Sequence, residues 1–129
     1  MTTEQDIEAP LALDDVRVLD LAGPPGLYCC KVLGDLGADV IRVESPAGDE
    51  CRRTPPFYKD VPGLDRSLSF YYLDTNKRSI TLNLDAPEGV AILTRLVETA
   101  DVLVESYAPG HLDERGLGYD ALSRVNPSL

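Results

Sequence analysis

The stretch Leu73 to Gly89, LDTNKRSITLNLDAPEG, leads from a basic turn into an alternating apolar segment and then into a helix start. Across Ser79 to Leu84, the side chains of Ile80, Leu82 and Leu84 alternate with short polar residues, the period of two that marks a strand. Asp85 reads as an N-cap, three residues ahead of Glu88 in the spacing of a capping box. Pro87 suits a first helical turn, where its missing N–H does no harm. A helix is expected from Glu88 to Thr99, with Ile92, Leu93, Leu96 and Val97 as its core stripe and Thr94, Arg95 and Glu98 in water.

The same grammar extends in both directions. Val16 to Leu21 and Asp39 to Glu44 read as strands, and Gly26 to Leu36 between them as a helix. Leu27, Cys30, Leu33 and Leu36 recur along that helix, and Gly37 stops it. After a turn-rich segment from Ser45 to Asp65, Leu68 to Leu73 reads as a short helix with Leu68, Tyr71 and Tyr72 on one face. These aromatic residues, with Phe70, are assigned to core or subunit surface. Downstream, Asp101 to Glu105 is a fourth strand, and Tyr119 to Val125 a helix entered through Gly116 and Gly118. Strands that alternate with helices argue for an α/β fold with a parallel sheet flanked by helices. Four short strands make a thin core, so the sheet is expected to be incomplete in this chain and to continue in residues it does not contain.

Composition narrows the function classes. The 129 residues are 43% hydrophobic, and no apolar run is long enough to span a bilayer. The N-terminus, MTTEQDIEAP, lacks the basic and apolar regions of a signal peptide, so a cytoplasmic protein is expected, with residues 1–14 as a flexible arm. The formal charge of -10 opposes general nucleic-acid binding. Locally, Arg52, Arg53, Lys59, Arg66, Lys77 and Arg78 crowd the middle third, where a small polyanion or simply a solvated charged loop would suit them. Cys29, Cys30 and Cys51 are an odd set without ligand spacing, and read as packed thiols. His111, the sole histidine, is assigned to a helix surface and no metal site is expected.

Ligands of open α/β sheets sit at the carboxyl ends of the strands, which here are the loops after Leu21, Glu44, Leu84 and Glu105. The first, Ala22-Gly23-Pro24-Pro25-Gly26, introduces a helix N-terminus whose amides are candidates for phosphate, and Glu44 stands where a dinucleotide fold keeps its ribose-binding acid. Only Gly-x-x-Gly is present, so NAD binding is the minor option, and Walker A is absent. Lys77 and Arg78 serve equally as phosphate ligands or as salt-bridge partners in a turn. Asp20 and Glu44 are read as loop-orienting acids.

In order and spacing, LGADVI-x-VE, NKRS followed by a strand and PEG, ADV-x-VE and PG-x-L-x-x-x-GLGY resemble the start of class III CoA-transferases over residues 15–129. The family includes formyl-CoA transferase and carnitine CoA-transferase, with α-methylacyl-CoA racemase as a close relative. The resemblance implies a Rossmann-like large domain whose N-terminal, coenzyme A-binding portion is residues 15–129, and an interlocked homodimer. It implies transfer of coenzyme A from an acyl-CoA donor to a carboxylic acid acceptor, with no prosthetic group. The catalytic aspartate is expected beyond Leu129, so this chain holds no catalytic residue of its own. Leu82, Asn83, Leu84, Asp85, Ser106, Tyr107 and Arg115 are the positions carried over as coenzyme A contacts. Ser106-Tyr107 replaces the family's Asn-Phe, and Glu114 stands where its arginine does, with Arg115 one place later. The alternatives are an acyl-CoA racemase or isomerase of the same family, and a non-catalytic coenzyme A-binding subunit that needs a complementary second chain.

Overall fold

The computed structural model describes residues 10–129, in which eight regular elements alternate between sheet and helix. The strands are β1 (Arg17–Leu21), β2 (Asp39–Glu44), β3 (Lys77–Thr81) and β4 (Val102–Glu105). The helices are α1 (Pro24–Asp35), α2 (Leu68–Leu73), α3 (Pro87–Val97) and α4 (Tyr119–Val125). The sheet is parallel throughout in the order β3-β2-β1-β4. Val18 pairs with Val40 on one side and Val102 on the other, and Val40 with Lys77.

Alternation along the central strands divides the core. Leu19, Leu21, Ile41 and Val43 pack with Leu93 and Val97 of α3 and with Leu112, Leu117 and Leu122. On the other face, Val18 and Val40 meet Cys30 of α1 and Ala38. Central parallel strands buried on both faces carry near-continuous apolar runs, which explains Val18-Leu19 and Val40-Ile41. The α1 face is also the polar one, since it receives Asp20, Arg42 and Glu44, all buried.

Several boundaries differ from the sequence expectation. β3 begins at Lys77 rather than Ser79 and ends at Thr81. Lys77 and Ser79 belong to the strand because that register sends their side chains to buried carboxylates: Lys77 Nζ donates to Asp20 at 2.8 Å, and Ser79 to Glu44 at 2.7 Å. The Leu82 amide extends the ladder by one bond to the Glu44 carbonyl before the chain turns. Asp85 is not the N-cap. That position is Ala86, without a side-chain cap, and the Asp85 carboxylate goes to Arg115 instead. A charge-assisted bond to a guanidinium outcompetes one to a neutral amide. Ile92, placed in the core stripe, is 44% exposed, whereas Leu93 and Val97 are fully buried.

The short helix α2 forms as expected, capped by Ser67, yet Leu68, Tyr71 and Tyr72 all face outward. Of the expected flexible arm, residues 1–9 lie outside the described residues. From Leu13 onward the chain is tied down, since its amide donates to the Leu36 carbonyl at 3.1 Å and its side chain packs beside Val18 and Val40. No helix among the described residues is long and apolar enough to cross a membrane.

Candidate coenzyme A site

The carboxyl ends of the strands open on one side of the sheet, and the loops there differ sharply in what they have to offer. After β1, every amide is already engaged. Ala22 N donates to Asp20 Oδ1 at 3.0 Å and Gly23 N to Ser106 Oγ at 2.7 Å, while Gly26 and Leu27 donate to the Gly23 carbonyl. Pro24 and Pro25 have no N–H to give. The helix N-terminus expected to meet phosphate therefore has no free donor in its first turn. The bond from Gly23 to Ser106 also ties together the loops after β1 and β4, at the point where the strand order reverses and where such sheets usually admit ligands.

Glu44 is likewise occupied. Its two oxygens take Arg52 Nε at 2.6 Å and Nη2 at 2.7 Å, the Asp49 amide at 3.0 Å and the Ser79 hydroxyl. Arg52 and Ser79 hold the carboxyl below its ordinary value despite burial. An acid with this many bonds cannot grip a ribose, which removes the feature that carried the NAD option. Asp20 is equally committed, to Arg42 at 2.7 Å and Lys77 at 2.8 Å. Lys77 is thus a buried structural cation, and Arg78 pairs with Asp39. Lys77 is not free to take a phosphate, and the Arg78–Asp39 pair lies at the amino ends of β2 and β3, away from these loops.

Among the open spaces at these strand ends is a cavity of about 370 Å³ between the loops after β2 and β3 and the turn after β4. Its walls are Val43 to Ala47, Leu82 to Asp85, and Tyr107, His111 and Arg115. Six of the residues expected at coenzyme A, Leu82, Asn83, Leu84, Asp85, Tyr107 and Arg115, meet there. Ser106 lies apart and serves the β1 loop.

Each wall has a physical cause. Leu82 and Leu84 face the α3 side of the core and anchor the loop between them. Asn83 bends that loop, its Oδ1 accepting from the Asp85 amide at 3.1 Å and its carbonyl from Ala86 at 3.2 Å. Arg115 is drawn to the mouth by Asp85, through Nε at 3.1 Å and Nη2 at 2.6 Å, and by the His111 carbonyl at 2.9 Å. These bonds use three of its five N–H groups. The Tyr107 ring stacks on His111, and burial pushes its phenol up, so it stays a neutral hydrogen-bonding group.

Contrary to the sequence expectation, His111 is in the turn between β4 and α4 and faces the cavity. The signal that could have located it is the four-residue spacing from Tyr107 across Pro109-Gly110 and on to Arg115.

Comparison with known proteins identifies the family. The pattern described as CoA-transferase family III matches residues 13–129. The chain belongs to CoA-transferase family III. It is 45% identical over 113 residues to the succinyl-CoA:(R)-benzylsuccinate CoA-transferase subunit BbsE of Thauera aromatica, covering 88% of this chain and 28% of that protein. It is 44% identical over 124 residues to the succinyl-CoA:mesaconate CoA-transferase of Haloarcula marismortui, covering 92% and 30%. A CAIB/BAIF family protein from Brucella suis, of known crystal structure, superposes with a TM-score of 0.82 at 43% identity, covering 92% of this chain and 32% of that one. The chain thus spans about a third or less of the length of these CoA-transferase family III relatives.

Proposed function

We propose that this chain forms the coenzyme A-binding N-terminal portion of a class III CoA-transferase, which moves coenzyme A from an acyl-CoA donor to a carboxylic acid acceptor. The observation that carries the reading is the convergence of six carried-over residues on one cavity at the carboxyl ends of a parallel sheet. About 370 Å³ lies near the lower end of ligand-pocket volumes. It suits the adenosine end of coenzyme A, with the pantetheine arm running outward.

The charge around the cavity supports the same division. Its cation among the described residues, Arg115, is shared with Asp85, and the β1 loop has no free first-turn amide. The base and sugar are therefore held here by packing and by groups such as the Asn83 amide. The diphosphate draws further cations from the remainder of the polypeptide. The catalytic carboxylate comes from that remainder too. The sheet continues there past β4, and the assembled protein is a cytoplasmic homodimer. The relative designated a subunit in Thauera aromatica favours one further arrangement, in which a second chain completes the enzyme.

The test uses the polypeptide at its native length. Calorimetry should show coenzyme A binding, and incubation of succinyl-CoA with a panel of carboxylic acids should yield a new thioester without release of free coenzyme A. Absence of binding would overturn the site. Exchange of the acyl α-proton with solvent deuterium, without transfer, would replace the transferase by a racemase.

A further inference from the structure

We propose that His111 is a base-stacking residue of the nucleotide site, a role that rests on the reading of the cavity as the adenosine pocket. The imidazole lies nearly parallel to the Tyr107 ring, with centroids 4.5 Å apart and planes 13° from each other. Tyr107 also borders the neighbouring cavities at β1 and β4, whereas His111 lines this one. The Leu82 to Leu84 segment lines the same cavity. Stacking accepts any base because every base has a π-face, and its strength is largest when the protein ring is already oriented.

Orientation is what this turn supplies. Tyr107 fixes the imidazole plane, and the His111 carbonyl holds Arg115 Nη1. A histidine free on a turn would lose rotamer entropy when a ligand arrived, but one held in a stack has already lost it. The same turn thus carries both a ring for the base and a tether for the guanidinium at the cavity mouth.

Affinities of the native-length protein for coenzyme A and for its two halves, adenosine 3′,5′-bisphosphate and 4′-phosphopantetheine, test the assignment. His111→Ala should weaken coenzyme A and the bisphosphate about tenfold, the scale of one lost base stack. It should leave phosphopantetheine unchanged, and His111→Phe should recover most of the loss. Unchanged bisphosphate affinity in His111→Ala would overturn the proposal, as would equal losses for both halves, or a Phe variant as weak as Ala. A wild-type protein that binds neither coenzyme A nor the bisphosphate would overturn the adenosine-pocket reading itself, and this inference with it.

Discussion

Beneath the β1 loop, Arg42 and Lys77 face Asp20, Asp49 and Asp74, all with side chains at most 6% exposed. Three carboxylates against two cations leave the cluster one negative charge in excess. Asp74 bears it: burial pushes its carboxyl up against the pull of Lys77 and Arg42, and its Oδ2 has no partner among the described residues. A carboxyl raised in the folded state contributes fully below its ordinary value of 3.8 and loses that contribution as pH rises through its raised value. Asp74→Asn should therefore leave stability at pH 7 unchanged or higher, with less benefit near pH 4. Lys77→Met strands Asp20 and Asp74 and should cost about 3–5 kcal/mol. Urea midpoints at the two pH values check both. Thiol chemistry follows burial in the same region. Burial and Asp20 push the Cys30 thiol up to about 12, and burial raises Cys51, whereas Cys29 is exposed. Because the thiolate is the nucleophile, iodoacetamide on the folded protein should alkylate Cys29 and spare Cys30 and Cys51 in peptide maps.

At the scale of elements, the site depends on how closely α3 approaches the loop that precedes it. A Cβ on Gly89 would stand 2.0 Å from the Asn83 carbonyl oxygen, a clash with backbone that only displacement of the loop relieves. Gly89→Ala should destabilise by about 1–3 kcal/mol or more, and weaken coenzyme A binding because the displaced loop is a cavity wall. Gly110→Ala serves as the contrast. Its φ of +85° strains any side chain, but nothing lies within 4 Å, so about 1–2 kcal/mol of stability is the expected loss. Thermal unfolding and calorimetry of the two variants separate strain from obstruction.

At the scale of the molecule, β4 is an edge strand beside a groove of about 870 Å³ lined in part by Val102, Leu103, Leu112, Leu117, Leu122 and Leu129. An apolar groove along an unpaired strand is a template for another strand. Relatives more than three times as long have the residues to supply one. The outward-facing amides of β4 should therefore exchange quickly with deuterium in the isolated 129-residue chain and slowly in the native-length protein. Equal exchange in both would place the extension of the sheet elsewhere.

What the sequence determined by itself is periodic and local. The apolar runs of Val18 to Leu21 and Val40 to Val43, the stop at Gly37 and Pro87 at the start of α3 are one-dimensional signals that led to the order of elements and the parallel sheet, while the ordered motifs carried the family resemblance. The cavity walls were expected from the family resemblance, and strand ends that all open on one side of a parallel sheet pointed to the same loops. Partner choice was not. Whether Asp85 capped a helix or gripped Arg115, 30 residues away, depended on which group folding brought within 2.6 Å. Lys77 looked like a turn residue until the pairing of β3 with β2 set it against Asp20, 57 positions upstream. The β1 loop looked like a phosphate cradle until its amides were taken by Asp20, Ser106 and the chain itself. Hydrogen bonds and ion pairs are made by groups that are adjacent in space, and for residues far apart in the chain that adjacency exists only in the folded structure.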